Sequence, residues 1–154
     1  MSGLTGARQV VLVTSRYKDK DNIIALAWHM RTSFEPELYS ISVGKSRFSY
    51  GVIKKSRCFC VNFMPASLKK EIVYCGSCSG RSHDKFAETK LQKEECEKIN
   101  CPRIKQALGY AECSLVEEVD TGDHAIFIGK VLKSKVLKKG KRLYHIEGNK
   151  FLEA

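Results

Sequence analysis

No apolar run in this chain approaches the ~20 residues that a membrane-spanning helix needs. The longest are short pieces such as Val10 to Val13. No basic head followed by an apolar core opens the sequence, so a secretory leader is not expected and the protein is placed in the cytoplasm. No internal repeat and no linker-like segment interrupts the 154 residues, which points to one domain over 1–154 with room for a core that needs no staples. A complete disulfide framework is excluded by the odd count of seven cysteines, and cytosolic thiols stay reduced. No second CxxC accompanies Cys75-Gly76-Ser77-Cys78, and the Cys96…Cys101 spacing is a poor substitute, so no metal site is expected. Cys58 and Cys60 fall in an apolar alternation, CFCVNF, where small buried thiols are expected.

Acidic residues are also missing from one stretch. Lys130 to Arg142 carries seven of the basic residues behind the net charge of +10 and no acid. A basic run of this kind invites nucleic acid. Here, however, the lysines alternate with Val131, Leu132, Val136 and Leu137, and no aromatic residue is interleaved to stack a base. The stretch therefore reads as the solvated face of a strand, where exposed lysine also discourages edge pairing. Neither a nucleic-acid nor a membrane partner is expected.

What is present is mostly β. Arg8 to Ser15 is a β-rich run ended by the charged turn Lys18–Asn22. Asn22 to Met30 alternates, with Ile24, Leu26, Trp28 and Met30 on one face and Ala25, Ala27 and His29 on the other. The second face has room for something flat. Pro36 holds Glu35 out of the helical region in the following turn. Leu38 to Gly44 then sets Tyr39, Ile41 and Val43 against the small, polar Ser40, Ser42 and Gly44. Phe48, Val52 and Ile53 have helical spacing, with Ser46 as the expected N-cap, and the backbone N–H groups there beside Lys45, Arg47 and Ser49 suit a phosphate. Cys58 to Met64 is a further strand in which buried Asn62 must find partners.

Ser67 to Val73 reads as a short helix, Cys75 to Arg81 as a loop, and Leu91 to Cys96 as a second helix broken by Pro102. Ala111 to Val119 and His124 to Leu137 are strands, with Thr121-Gly122-Asp123 turning between them. Lys138 to Lys141 is read as a hairpin turn into Arg142–Ile146. About seven strands with two or three short helices predict a mainly β protein, an antiparallel β-barrel with short helical insertions.

Taken together, the ordered set is more specific than any one part. It runs Asn22…Ala27-Trp28-His29-Met30…Ser33-x-x-Pro36, Ser42…Arg47-Phe48-Ser49-Tyr50, Asn62, Cys75-Gly76…Ser79-Gly80-Arg81…Asp84-Lys85-Phe86, Glu112-Cys113 and Gly122-Asp123-His124. In that order and spacing, from about Arg8 to Val131, the chain resembles the flavin reductase-like, FMN-binding split-barrel family. The resemblance implies a homodimer that binds FMN (FAD in some members) near the subunit interface. It implies that Ala27, Trp28, His29 and Met30, with Ser42, Val43 and Gly44, run along the isoalloxazine and ribityl chain. Lys45, Arg47 and Ser49 are then the phosphate-side residues. Asn62 and Phe63 border the ring, and Ser79, Gly80 and Arg81 close over the cofactor with Lys85 and Phe86.

The implied activity is hydride transfer from NAD(P)H through the flavin to free flavin, a ferric chelate or a protein acceptor. No GxGxxG follows a strand, and members of this family need no separate dinucleotide fold. His124 is expected at the nicotinamide or flavin edge, where an imidazole suits proton donation at neutral pH. The alternative is a structural histidine that satisfies the 121–123 turn. A second function also fits the resemblance: a non-enzymatic FMN electron carrier, like the flavoredoxins, docking a redox partner on the Lys130–Arg142 face. Two features depart from the family pattern, the short stretch after the last strand and the CxxC completed by Cys78.

Overall fold

The computed structural model describes every residue except Ser2. β1 (Arg8–Gln9) and β2 (Val11–Tyr17) arise from the first apolar run, and β3 (Lys20–Leu26) returns antiparallel from it. The two-residue loop between them places both Lys18 and Asp19 at positive φ, which matches the twist of the strands it joins. The run expected from Asn22 to Met30 is not one strand. It breaks at Ala27–Trp28, and β4 (His29–Ser33) starts afresh. After β5 (Leu38–Gly44) comes α1 (Phe48–Ser56). Its N-cap is Arg47 rather than Ser46, and no side chain caps it. β6 (Cys58–Phe63), a 3-10 turn at Ala66–Leu68 and α2 (Lys69–Ser77) follow. Cys75, Gly76 and Ser77 are therefore the last residues of a helix, and only Cys78 onward is loop.

β7 (Lys93–Glu95) lies where a helix was expected and pairs with β8 (Pro102–Ile104). The ladder sets Glu94 directly opposite Arg103, whose guanidinium reaches its carboxylate at 3.1 Å. That cross-strand ion pair, with Leu91 buried just before the strand, overrides a helical spacing too short to hold on its own. β9 (Gly109–Asp120) and β10 (His124–Val136) form the long hairpin. The expected continuation of β10 into a second hairpin is absent. β11 (Leu143–Glu147) instead crosses to pair with β1 and with β12 (Lys150–Glu153), carrying Leu143 into the core at 0% exposure.

Seven strands share one antiparallel ladder in the order β3-β2-β6-β9-β10-β5-β4. Its two ends, β3 and β4, are separated in sequence only by Ala27 and Trp28, so the sheet has to roll up. The Ser42 N–H donates to the Trp28 carbonyl at 2.9 Å and ties the seam. The result is the expected barrel, closed by the chain where the ladder stops. Val11, Val13, Ile41, Val43, Phe59 and Phe127 fill the interior, and Ile53 of α1 joins them. β2 is buried on both faces. Leu12, with Val10 just before the strand, joins Ile23, Met64, Ile72, Ile104 and Leu143 in a second core outside the barrel wall, under α2 and β11. α1 and α2 are the only α-helices among the described residues, and neither is long and apolar enough to cross a membrane.

Gly129 shows how tightly the interior is filled. A Cβ there would stand 2.7 Å from both the Cys113 Cβ and the Phe59 ring edge, neither of which can swing away. Gly129→Ala is expected to cost about 1–3 kcal/mol of stability by overpacking. Urea unfolding checks it, and an unchanged midpoint would mean that the barrel interior gives way more easily than this packing implies.

Candidate functional site

The barrel seam opens into a cavity of about 790 Å³. One wall is the end of β3 with the break residues Ala27 and Trp28, and the small side of β5 (Ser42 and Gly44) continues it. The Ser46–Ser49 turn into α1 forms one end. The 78–81 loop and the last turns of α2 form the facing side, with the β11–β12 hairpin closing over through His145, Asn149 and Phe151. No Asp or Glu lines it.

Trp28 and His124 meet at its rim, their ring centroids 4.8 Å apart. His124 opens β10 directly opposite Gly44 of β5, where a Cβ would touch His124 Nε2 at 3.6 Å and crowd the Arg47 side chain at 3.3 Å. The other ring nitrogen, Nδ1, pairs with the exposed Asp123 carboxylate at 2.7 Å and holds that carboxyl below its ordinary value. In the neutral ring that contact makes Nδ1 the donor and leaves Nε2 an acceptor.

The α1 end is built for an anion. The first N–H groups of a helix have no partner within it, and here no side chain supplies one. Their partial positive charge therefore faces the Ser46–Arg47 turn. Arg47 and Arg81 form no ion pair with a carboxylate among the described residues. Both also line an adjoining cleft of about 520 Å³ that carries Lys18, Lys20, Lys45 and Lys55 and likewise no acid. Ser49, buried at the first turn, accepts a hydrogen bond from Asn22 Nδ2 at 2.7 Å, while Asn22 Oδ1 is left without a partner.

Of the residues expected at the site, the fold brings together Ala27, Trp28, Ser42, Gly44, Arg47, Ser49, Ser79, Gly80, Arg81, Lys85 and His124. Lys85 does so with its charge already committed. Its Nζ donates to the carbonyls of Ile23 (2.8 Å) and Cys75 (2.7 Å), and burial pushes the ammonium down from the ordinary lysine value. It acts as a latch that clamps the 78–86 segment to β3 and α2.

Of the other seven expected residues, Lys45 lines only the adjoining cleft and six lie elsewhere, each for a local reason. Asn62 is fully buried further along the wall, beneath the segment that carries Ile104. Its amide donates to Leu12 O and Thr14 Oγ1, and its oxygen accepts the Ile104 N–H at 2.8 Å. Phe63 packs edge-on against Tyr39, and Phe86 belongs to the second core beneath Lys93. Val43 points into the barrel, Met30 is 60% exposed on β4, and Lys45 pairs with Asp120. His29 faces away, its Nε2 on the Gln9 carbonyl (2.8 Å) and its Nδ1 on the Tyr39 hydroxyl (2.7 Å).

Three groups of lining residues escaped the sequence reading: Ser46 with Phe48, the α2 face at Ile72, Val73 and Cys75, and the hairpin residues of β11–β12. The turn Glu147-Gly148-Asn149-Lys150 carried a hairpin signal, with Gly148 at positive φ, but nothing local says that β11 docks on β1. The CxxC thiols mark a helix end. Cys75 is buried, which pushes its thiol up to about 12, and Cys78 Sγ bonds the Tyr74 carbonyl.

The flavin reductase like domain matches residues 4–151. A protein of Archaeoglobus fulgidus without assigned function is 33% identical over 114 residues, 74% of this chain and 64% of its own length. The matched stretch thus spans under two thirds of that relative. Among solved structures, the flavoredoxin of Desulfovibrio vulgaris (Miyazaki F) superposes with a TM-score of 0.90 at 21% identity, covering 100% of this chain and 90% of its own. The flavin reductase PheA2 superposes with a TM-score of 0.82 at 26% identity, covering 96% and 90%.

His29 supplies a test of its own. The carbonyl at Nε2 fixes the neutral tautomer, and burial holds its pKa below the ordinary value of about 6.5. As pH falls the unfolded chain takes up that proton first, so stability drops from about pH 6.5 down toward the lower folded value. The thermal midpoint is expected to fall between about pH 7.5 and 5.5, and less steeply in His29→Gln. Parallel curves for the two proteins would remove His29 as the source.

Proposed function

The chain belongs to the flavin reductase-like family, and on that premise we propose that it is an FMN-binding oxidoreductase. When bound, the flavin supplies the hydride and electron chemistry, taking reducing equivalents from NAD(P)H and passing them to free flavin, a ferric chelate or a protein acceptor. The observation that carries the reading is the composition of the seam cavity. It combines a small-residue wall for a flat ring system with an uncapped helix N-terminus beside unpaired arginine for a phosphate, and it contains no carboxylate to repel one. FAD in place of FMN is compatible with the cationic cleft that continues from the same end.

In this reading the chain does four things. Ala27, Ser42 and Gly44 let a planar group lie close to the backbone. Arg47, Ser46 and the first N–H groups of α1 hold the phosphate. Lys85 fixes the 78–81 loop so that Gly80 and Arg81 keep water from that face. His124 holds or releases a proton at Nε2, with Asp123 orienting the ring. The exposed Trp28 and Met30 at the start of the edge strand β4 support a homodimer that covers this rim.

A second reading, a flavin electron carrier without its own pyridine-nucleotide activity, is favoured by the exposed lysines at 135, 138, 139 and 141, which suit an acidic redox partner. Anaerobic addition of NADH and NADPH to protein loaded with FMN separates the two. Bleaching of the visible flavin bands by either nucleotide supports the reductase, persistence supports the carrier, and failure to load FMN removes both.

Arg47→Ala is expected to weaken FMN binding roughly 10- to 100-fold, the loss of one charge-assisted hydrogen bond of about 1.5–3 kcal/mol, with little change for riboflavin. Equal losses for both ligands would take Arg47 off the phosphate. His124→Asn is expected to slow NAD(P)H oxidation about 100-fold with FMN affinity kept, as loss of a positioned proton donor does. An unchanged rate would leave His124 as a turn residue.

A further inference from the structure

A second cluster of reactive side chains lies away from the cavity, where β6 and β9 meet the β7–β8 hairpin. Cys58, Cys60, Cys101 and Tyr110 form a small buried group, with Cys96 packed against it and still partly open to solvent. Cys96 packs against the group that holds Cys60 and Cys101, and the Cys101 thiol donates to the Thr14 carbonyl at 3.2 Å. Among the described residues, no group of three or more His, Cys, Asp or Glu side chains is arranged to hold a metal ion.

The backbone makes two of these thiols natural partners. β7 and β8 pair Lys93 with Ile104, Glu94 with Arg103 and Glu95 with Pro102. One step further in the same register, Cys96 faces Cys101, and the Cys96 N–H donates to the Cys101 carbonyl at 3.0 Å. Residues opposite one another in an antiparallel ladder lie about 4.5–5.5 Å apart at Cα. A disulfide spans roughly 4.4–6.8 Å. The four-residue turn between them is pinned from below, because the fully buried Glu112 carboxylate accepts the N–H groups of Glu97 (3.1 Å) and Lys98 (2.7 Å).

The three thiols also differ in character. Hydrogen bonds from Cys101 and Cys60, helped by the Arg103 charge and opposed by burial, pull the Cys96 thiol well below its ordinary value. Burial pushes Cys60 and Cys101 up. Of these three thiols, Cys96 is the one that solvent reaches and the one its surroundings favour as a thiolate.

We propose that Cys96 and Cys101 form a peroxide-oxidisable dithiol, with Cys96 as the attacking sulfur and Cys101 as the resolving one. The Cys96 thiolate attacks a small hydroperoxide, ROOH. The O–O bond breaks, ROH leaves after taking up one proton, and Cys96 becomes a sulfenic acid. The Cys101 sulfur then attacks the Cys96 sulfur, the S–O bond breaks, and water leaves with the Cys101 proton. The sum is two thiols and ROOH going to one disulfide, ROH and water, so the two electrons lost by sulfur are those gained by the peroxide. The partial exposure of Cys96 and the full burial of Cys101 restrict the oxidant to a small molecule.

The test treats the full chain with hydrogen peroxide, alkylates the remaining thiols and maps the cysteines by mass spectrometry. A Cys96–Cys101 bridge is expected to form before any change at Cys75 or Cys78, and the added reagent dimedone should label Cys96 in Cys101→Ser, where no partner resolves the sulfenic acid. First oxidation at Cys78, a Cys60–Cys96 bridge, or both Cys96 and Cys101 remaining alkylatable would each overturn the proposal. The mapping on the unsubstituted protein does not depend on how well the variant folds, and no outcome depends on whether flavin binds.

Discussion

Everything in this molecule follows from how its sheet has to close. The two outermost strands of a seven-stranded ladder, β3 and β4, are joined by two residues, so the sheet cannot lie open. Rolling up forces one face of every strand inward, which is why Val11, Ile41, Phe59 and Phe127, far apart in sequence, meet in one core. It also leaves a seam, because Ala27 and Trp28 turn from one edge to the other instead of continuing a ladder.

The cavity is thus a by-product of closure, and the surrounding segments are held to it by buried polar contacts more than by apolar ones. The Lys85 ammonium on two carbonyls and the Asn22 amide on Ser49 link the irregular 78–86 stretch and α1 to β3. Such groups are costly to bury and more costly to leave unpaired, so removing one partner should shift a whole segment. On the opposite side of β2, Asn62 does the same for Ile104 and the β7–β8 hairpin.

Much of this was written in local pattern. The alternation in Leu38–Gly44 gave both the inward face, Ile41 and Val43, and the small outward face at the cavity, and Ala27, Arg47, Ser79 to Arg81 and His124 all reached the site. Asn62 was legible as a buried amide in need of partners but not as to which ones it finds, since Thr14 and Ile104 lie far from it in sequence. His29 and Met30 were displaced by the break at Ala27–Trp28, which shifts the register of everything after it. The β7 strand and the docking of β11 on β1 depend on contacts with distant residues, Arg103 and Val10, which no local window contains.

That docking carries a consequence for biosynthesis. All seven barrel strands are complete once Val136 has been made, whereas the hairpin that closes over the cavity is drawn from residues 143–153. As the chain leaves the ribosome, the barrel can fold before the last wall of the pocket exists, at the pace of vectorial synthesis. Any group held in that pocket is therefore enclosed only after the barrel strands exist, by a segment that folds onto a finished scaffold.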